Sequence, residues 1–181
     1  IGLLNIIGIE VDPILLNIIL PLGISFYTFQ TISYTVDVYR GFIKPEKDFI
    51  LYSCYVTFFP QLVAGPVLRA SEVIFQLNKR LPFQTMFLSD GLKRIIYGLF
   101  LKVVLADNIG KLVDAGFLLP TSFISAIDVL TLSFLFGFQI YFDFCAYSHI
   151  AIGSAKLMGI SFPENFNFPY VAKSPKDFWK R

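Results

Sequence analysis

One long apolar stretch, residues 128–159, constrains the fold more than any other part of the chain. Between Asp128 and Lys156 the only charged side chain is that of Asp143. A continuous helix over this stretch would be about 40–45 Å long, whereas the hydrocarbon core of a bilayer is about 30 Å thick. We therefore expect a membrane helix that is tilted, broken near Gly137, or extended beyond the bilayer on one side.

The polar side chains of this stretch recur at helical spacing. Gln139, Asp143 and Tyr147 are four positions apart and share one face of a helix, with Ser154 close behind. A carboxylate near the middle of a membrane helix costs about 3 kcal/mol unless it has a partner or a water-filled cavity. The pattern predicts a helix that turns this face toward the inside of a helical bundle.

The composition supports a membrane protein. The chain is 55% hydrophobic and 15% charged, against about 25% charged residues in soluble domains. A net charge of +2 without a basic, aromatic-rich run gives no support for a nucleic-acid partner. We predict an all-α, polytopic transmembrane helical bundle with broken or re-entrant helices. We expect residues 1–181 to be a single partial membrane domain, truncated at both ends.

A second uncharged run, residues 49–68, contains residues that interrupt helices. Pro60, Gly65 and Pro66 argue against one straight helix, and non-helical backbone at membrane depth needs protein or water to satisfy it. The run therefore predicts either a helix break that faces the interior, with Gln61 and Arg69 as its polar groups, or a helix end at the membrane interface.

The remaining segments are assigned by charge and by helix breakers. Residues 13–36 are uncharged and long enough to span, with a kink at Pro21 and Gly23. Residues 70–90 are read as a polar connection, and residues 109–125 as a loop. Residues 91–107 are predicted to be helical. They form a half-crossing, an interfacial helix, or a span whose Lys102 meets an internal acid.

Two features follow the polar face of the long stretch. Ala151, Ala155 and Gly159 recur four apart and form a small-residue edge that allows another helix to approach closely. Residues 161–176 contain three prolines and cannot form a long helix. Their aromatic residues, with Asn165, predict an interfacial or cavity-lining loop.

The residues by themselves indicate no complete catalytic site. The sequence has no glycine-rich phosphate loop, no nucleophile elbow and no metal-ligand cluster. The single histidine, His149, lies about 120° around the helix from Asp143. A packed or interfacial histidine is therefore favoured over a general base.

Five stretches together resemble the membrane-bound O-acyltransferase family, in its bacterial branch that modifies extracytoplasmic polymers. Within that branch their sequences most resemble the alginate O-acetyltransferase type. The resemblance implies transfer of acetyl groups to hydroxyls of an exported polysaccharide. D-alanyl transfer to teichoic acid is the nearest alternative. The matching stretches are residues 21–41, 59–69, 91–107, 139–153 and 163–181.

The resemblance also implies where the chemistry lies. The family has Asp at the position of His149, and its reactive histidine lies downstream of the motif that begins at residues 177–181. The chain is therefore expected to contribute no catalytic residue but part of a substrate channel. The residues that we assign to this channel are Gln61, Arg69, Gln139, Tyr141, Asp143, Tyr147 and Asn165.

The implied cellular setting is a multi-pass protein of the bacterial cytoplasmic (inner) membrane. The expected substrates are acetyl-CoA or another acyl donor and an extracytoplasmic polysaccharide, with no bound cofactor or metal. Periplasmic or cytoplasmic partner proteins are compatible with the resemblance. Two other functions remain open from the residues: a transporter or channel subunit, suggested by Asp143 and the broken helices, and a scaffold that docks a soluble partner through basic loops.

Overall fold

The computed structural model describes residues 23–62, 65–66, 68–79 and 85–181, and all regular structure in these ranges is helical. This confirms the all-α prediction. One helix of the described part, α7, is long and apolar enough to cross a membrane. The elements in chain order are α1 (Ile24–Tyr39), α2 (Phe49–Val56), α3 (Phe59–Leu62), α4 (Ala70–Asn78), α5 (Thr85–Leu99), a π-helical segment (Phe100–Ala106), α6 (Asp107–Phe117), a 3₁₀ turn (Thr121–Phe123), α7 (Ala126–Leu157), a second 3₁₀ turn (Pro169–Val171) and α8 (Pro175–Lys180).

Helix α7 is a single unbroken helix of 32 residues, about 48 Å long. Its start is fixed by a capping box: Asp128 Oδ2 accepts a hydrogen bond from the Ser125 backbone N–H at 2.9 Å, and Ser125 Oγ accepts one from the Asp128 N–H. The helix continues through Gly137, so the alternative of a break at that glycine is wrong. Of the kink predicted at Pro21 and Gly23, Pro21 lies outside the described residues, and Gly23 is the N-cap of α1 with φ = 77°.

Helix α7 ends in a Schellman motif at Gly159. This glycine has φ = 77°, a left-handed conformation that glycine adopts without strain. The Ile160 N–H donates to the Ala155 carbonyl at 2.9 Å, and the Gly159 N–H donates to the Lys156 carbonyl at 3.0 Å. Gly159 thus terminates the helix, so the prediction that it continues the small-residue edge of the helix is wrong.

Helices α5 and α6 join through the π-helical segment into one rod, residues 85–117, which lies against α7. The predicted loop at residues 109–125 is therefore wrong, because α6 continues to Phe117 and buries Val113. Residues 70–90 are likewise not a plain connection, because they contain α4 and the start of α5. Short amphipathic helices bury only a few apolar side chains and are easily read as polar loops.

Glycines bring the rod and α7 into backbone contact. A β-carbon added to Gly91 would lie 2.9 Å from the carbonyl oxygen of Gly153, and one added to Gly153 would lie 2.7 Å from that of Gly91. One added to Gly98 would lie 2.7 Å from the carbonyl oxygen of Ala146. These separations are shorter than carbon–oxygen packing permits, so only glycine fits at the three positions.

The π-helical segment keeps a further glycine on the same face of the rod. Gly98 and Gly110 are 12 positions apart, which is about 3.3 α-helical turns and would leave them about 120° apart. A π-helical turn holds about one residue more, so the segment reduces the separation to about three whole turns. Both glycines therefore face α7, and Gly110 lies against Gln139.

The interruption between α2 and α4 is buried. Gln61 and Tyr55 have no exposed surface; the Gln61 amide donates to the Tyr55 carbonyl at 2.6 Å, and the Tyr55 hydroxyl donates to the Leu68 carbonyl at 3.1 Å. A β-carbon on Gly65 would lie 2.8 Å from the Pro60 carbonyl oxygen. The break thus faces the protein interior, which is the first of the two predicted alternatives.

Arg69 does not belong to this buried interior. Its side chain is exposed, and the residue caps α4 through its backbone N–H, which donates to Glu72 Oε2 at 3.3 Å. Our grouping of Arg69 with Gln61 inside the break is therefore wrong. The reason is that the chain turns outward at Leu68, the last buried residue before the cap.

Candidate functional site

The lone carboxylate of the apolar part of α7 is paired with a lysine of the rod. Lys102 Nζ lies 2.5 Å from Asp143 Oδ1 and 2.9 Å from Asp107 Oδ1. The side chains of Lys102 and Asp143 are 29% and 40% exposed. The contact of Lys102 with an acid, which one of the three alternatives for residues 91–107 predicts, is present; the membrane crossing in that alternative stays a prediction.

This ion pair lies in a groove of about 390 Å³ between the rod and α7. The ring of Tyr147 lies beside it, with its centre 5.5 Å from Lys102 Nζ. The Oε1 atom of Gln139 is buried and has no hydrogen-bond partner among the described residues. The groove is lined by Lys102, Val103, Ala106, Asp107, Gly110, Lys111, Asp114, Gln139 and Asp143.

An aromatic pocket of about 340 Å³ lies elsewhere along α7, against the C-terminal residues. The Tyr170 hydroxyl anchors it to α7 by donating to the Gly137 carbonyl at 2.6 Å, and the Asn165 amide donates to Ser148 Oγ at 2.8 Å. Aromatic rings dominate the wall, with an amide and a guanidinium as polar groups. The lining residues are Ile140, Tyr141, Phe144, Asn165, Phe166, Pro169, Tyr170, Phe178, Trp179 and Arg181.

A third polar cluster joins α5, α7 and the loop that follows α7. Arg94 binds the Glu164 carboxylate with both terminal nitrogens, and Arg94 Nη1 also lies 3.1 Å from His149 Nδ1. The hydrogen bonds from Arg94 hold the pKa of Glu164 below its ordinary range. His149 packs edge to face against Tyr97, with ring centres 4.8 Å apart, in agreement with the predicted packed histidine.

The structure distributes the predicted channel residues over distinct places. Gln139 and Asp143 line the groove and Tyr147 flanks its ion pair. Tyr141 and Asn165 line the aromatic pocket. Gln61 lies in the buried break, whereas Arg69 is exposed.

Arg94 and Asp107 are polar residues of these sites that sequence reasoning did not select. The sequence does contain a signal for Arg94. It is three positions after Gly91 and four before Gly98, and this spacing puts it on the helix face that meets α7. Asp107 gave none, because its contact with Lys102 depends on the π-helical turn between them. In an α-helix the side chains that contact each other are three or four residues apart, so a pair five residues apart is not expected to interact.

The described residues contain no nucleophile paired with a base. The only histidine directs Nδ1 at Arg94, which donates and does not accept. In the described part of the chain no three His, Cys, Asp or Glu side chains are grouped to hold a metal ion. The substrate channel therefore stays a prediction for the groove and the aromatic pocket.

Comparison with sequence models of protein families finds no match. Curated proteins do match, and the chain spans about a third of the length of the alginate O-acetylases and of the peptidoglycan O-acetyltransferase among them. The probable alginate O-acetylase AlgI of Pseudomonas aeruginosa is 42% identical over 170 residues, which cover 93% of this chain and 32% of that protein.

Two further relatives are named for transfer to other polymers. The peptidoglycan O-acetyltransferase of Helicobacter pylori is 38% identical over 92% of this chain and 36% of its own length. The teichoic acid D-alanyltransferase of Bacillus subtilis is 30% identical over 91% of this chain and 42% of its own length. Together with the ordered motifs, these relatives support a chain of the alginate O-acetylase type, in agreement with its resemblance to the membrane-bound O-acyltransferases.

Proposed function

We propose that this chain is part of a bacterial membrane O-acyltransferase that transfers acetyl groups to hydroxyls of an exported polysaccharide. The observation that carries the proposal is the similarity to the alginate O-acetylases, at about 40% identity along 93% of the chain. The peptidoglycan O-acetyltransferase supports the same reaction type on another polymer.

The proposed setting is the cytoplasmic membrane, crossed several times by the full-length protein. Helix α7 supports this, because its length and composition suit a membrane span. Its Asp143 is paired with Lys102, as expected of a carboxylate that lies inside a membrane bundle. The uncharged residues 13–36 would supply a further crossing.

Within the proposed enzyme, this chain forms part of the passage in which donor and acceptor meet. The groove beside Lys102 and Asp143 and the aromatic pocket beside Tyr141 are its candidate walls. By the family resemblance, a histidine downstream of residue 181 acts as the general base. The acyl donor is acetyl-CoA or another activated acetyl group, and partner proteins on either side of the membrane belong to the same proposal.

D-alanyl transfer to teichoic acid is the second candidate, because the Bacillus subtilis relative matches 91% of the chain at 30% identity. The lower identity makes it the weaker candidate. The two reactions leave different esters on the polymer, an acetyl group without charge or an alanyl group with a primary amine.

The test uses the full-length protein in an alginate-producing bacterium from which the resident O-acetylase has been deleted. We expect the secreted polymer to regain O-acetyl groups, measured by proton NMR. The Asp143→Asn variant should lose most of this activity, whereas Lys173→Ala, at an exposed residue away from the groove, should retain it. Unacetylated polymer from a well-expressed membrane protein would overturn the proposal, and alanyl esters on a teichoic acid host would favour the second candidate.

A further inference from the structure

The loop at residues 160–168, here called the post-helix loop, connects α7 to the aromatic pocket. Side-chain contacts hold it to three different helices. Two hydrogen bonds join the loop to α4, an ion pair joins it to α5, and one hydrogen bond joins it to α7. The paired residues are Gln76 with Ser161, Arg94 with Glu164, and Ser148 with Asn165.

Of these three attachments only the one at Arg94 is ionic and includes a histidine. Arg94 Nη1 donates to Glu164 Oε2 at 2.7 Å, and the same nitrogen lies 3.1 Å from His149 Nδ1. An arginine has no acceptor atom. His149 Nδ1 must therefore carry a lone pair in this arrangement, so the imidazole is neutral.

Titratable groups from each neighbouring element surround the His149 ring. Helix α5 contributes Arg94 and Tyr97, the post-helix loop contributes Glu164, and α7 itself contributes Cys145 one turn earlier. Lys156, two turns later on α7, is paired with Asp90 at 3.2 Å. The closest charged group is thus the Arg94 cation, and the carboxylate that could attract a protonated ring already binds that cation.

We propose that Arg94 is a pH-dependent latch that holds the post-helix loop against α5 while His149 is neutral and weakens its hold when His149 takes up a proton. A proton on Nδ1 removes the acceptor and places a second cation beside the guanidinium. The two cations then compete for the single carboxylate of Glu164. Imidazole is the side chain that ordinarily gains a proton between pH 8 and pH 5.

The latch controls the cover of a small buried cluster. Phe166, two residues after Glu164, packs on the cluster formed by Leu101, Cys145 and Ala146. Cys145 is 5% exposed and is not in a disulfide. When the latch weakens, Phe166 moves away more often and the thiol of Cys145 becomes accessible to a small reagent.

The experiment measures labelling of Cys145 by N-ethylmaleimide in the full-length protein in detergent, quantified by mass spectrometry of its peptide at pH 7.5 and pH 5.5. His149→Asn keeps a polar side chain that does not titrate, and Arg94→Met removes the latch. Relative to His149→Asn, we expect wild-type labelling to rise about fivefold at pH 5.5, a factor that corresponds to about 1 kcal/mol, near the upper end for partly exposed ion pairs.

The Arg94→Met protein separates opening of the latch from a direct effect of the imidazolium on the thiol. We expect it to be labelled rapidly, with the same pH dependence as His149→Asn. If labelling of Arg94→Met and of wild type rises equally at pH 5.5 relative to His149→Asn, the latch proposal is wrong. Protonated His149 would then change the reactivity of the Cys145 thiol directly. Equal pH dependence in wild type and His149→Asn also overturns it. None of these outcomes depends on the acyl transfer proposed above.

Discussion

Lys102 and Asp143 lie on different long helices, and their charged atoms are 2.5 Å apart. The aspartate is the only charged residue between Asp128 and Lys156, and the lysine comes from a π-helical turn that also places Asp107 at 2.9 Å. The ion pair thereby joins the long apolar helix α7 to the more polar rod near the middle of each.

Removing the lysine should destabilise the full-length protein. Lys102→Met leaves two carboxylates close together without a cation, at a cost of about 2 kcal/mol after allowance for their partial exposure. We expect a lower midpoint of thermal unfolding in detergent, measured by size-exclusion chromatography. Lys102→Arg should retain most of the stability, and the exchanged pair Lys102→Asp with Asp143→Lys should recover part of it. A Lys102→Met protein as stable as wild type would show that the pair contributes nothing.

Two glycine substitutions in helices should have opposite effects. Gly98→Ala places a methyl group 2.7 Å from the Ala146 carbonyl and should cost about 1–3 kcal/mol by forcing the rod away from α7. At Gly137 a β-carbon meets only the Tyr170 hydroxyl, at 3.5 Å. Gly137→Ala should therefore be neutral or gain up to about 1 kcal/mol from helix propensity. Thermal unfolding of both variants tests this, and equal effects would contradict the close approach.

Two glutamines that differ in their hydrogen bonds offer another comparison. Gln30 is fully buried, and neither its Oε1 nor its Nε2 has a hydrogen-bond partner among the described residues. Gln30→Met should therefore raise stability by about 1 kcal/mol, because an unpaired buried amide is removed. Gln76→Met loses both bonds to Ser161 and should lower it by about the same amount. A Gln30→Met protein that unfolds earlier than wild type would show that the amide has a partner.

Lowering the pH should remove the contribution of Glu164 to the free energy of unfolding. Its pKa is lowered in the folded protein by the hydrogen bonds from Arg94, so its contribution to stability is complete above the ordinary glutamate pKa of about 4.3 and is lost as the pH falls through the lowered value. Glu164→Gln should lower stability by no more than about 1 kcal/mol at pH 7, because the carboxylate is 55% exposed. The difference from wild type should shrink below pH 4, measured by urea unfolding. A difference that grows in acid would reverse the sign of this argument.

Much of the helical framework follows from the sequence. The uncharged stretch around Asp143 predicts α7, and the prolines and glycines after residue 59 predict that the helix is interrupted, because both signals are local. That the interruption is buried came from the structure. The helical spacing of Gln139, Asp143 and Tyr147 also places these residues on the side of α7 that faces Lys102.

The rod was harder to predict because its pattern is interrupted. The π-helical segment changes the number of residues per turn, so Gly98 and Gly110 look out of phase in the sequence although both face α7. The contacts of Arg94 with His149 and Glu164 join residues 55 and 70 positions apart. Such pairs depend on how α5 and the post-helix loop pack on α7, which no local pattern specifies.

The unbroken length of α7 has a consequence for the rod. Asp143 is 17 positions past Ala126, about 26 Å along the helix axis. If α7 crosses a bilayer, this carboxylate lies far from at least one water layer, and Lys102 must lie at the same depth. The rod carries too many charges to be recognised as a membrane crossing from hydropathy alone. The ion pair between its Lys102 and Asp143 would nevertheless bring the rod into the hydrocarbon layer.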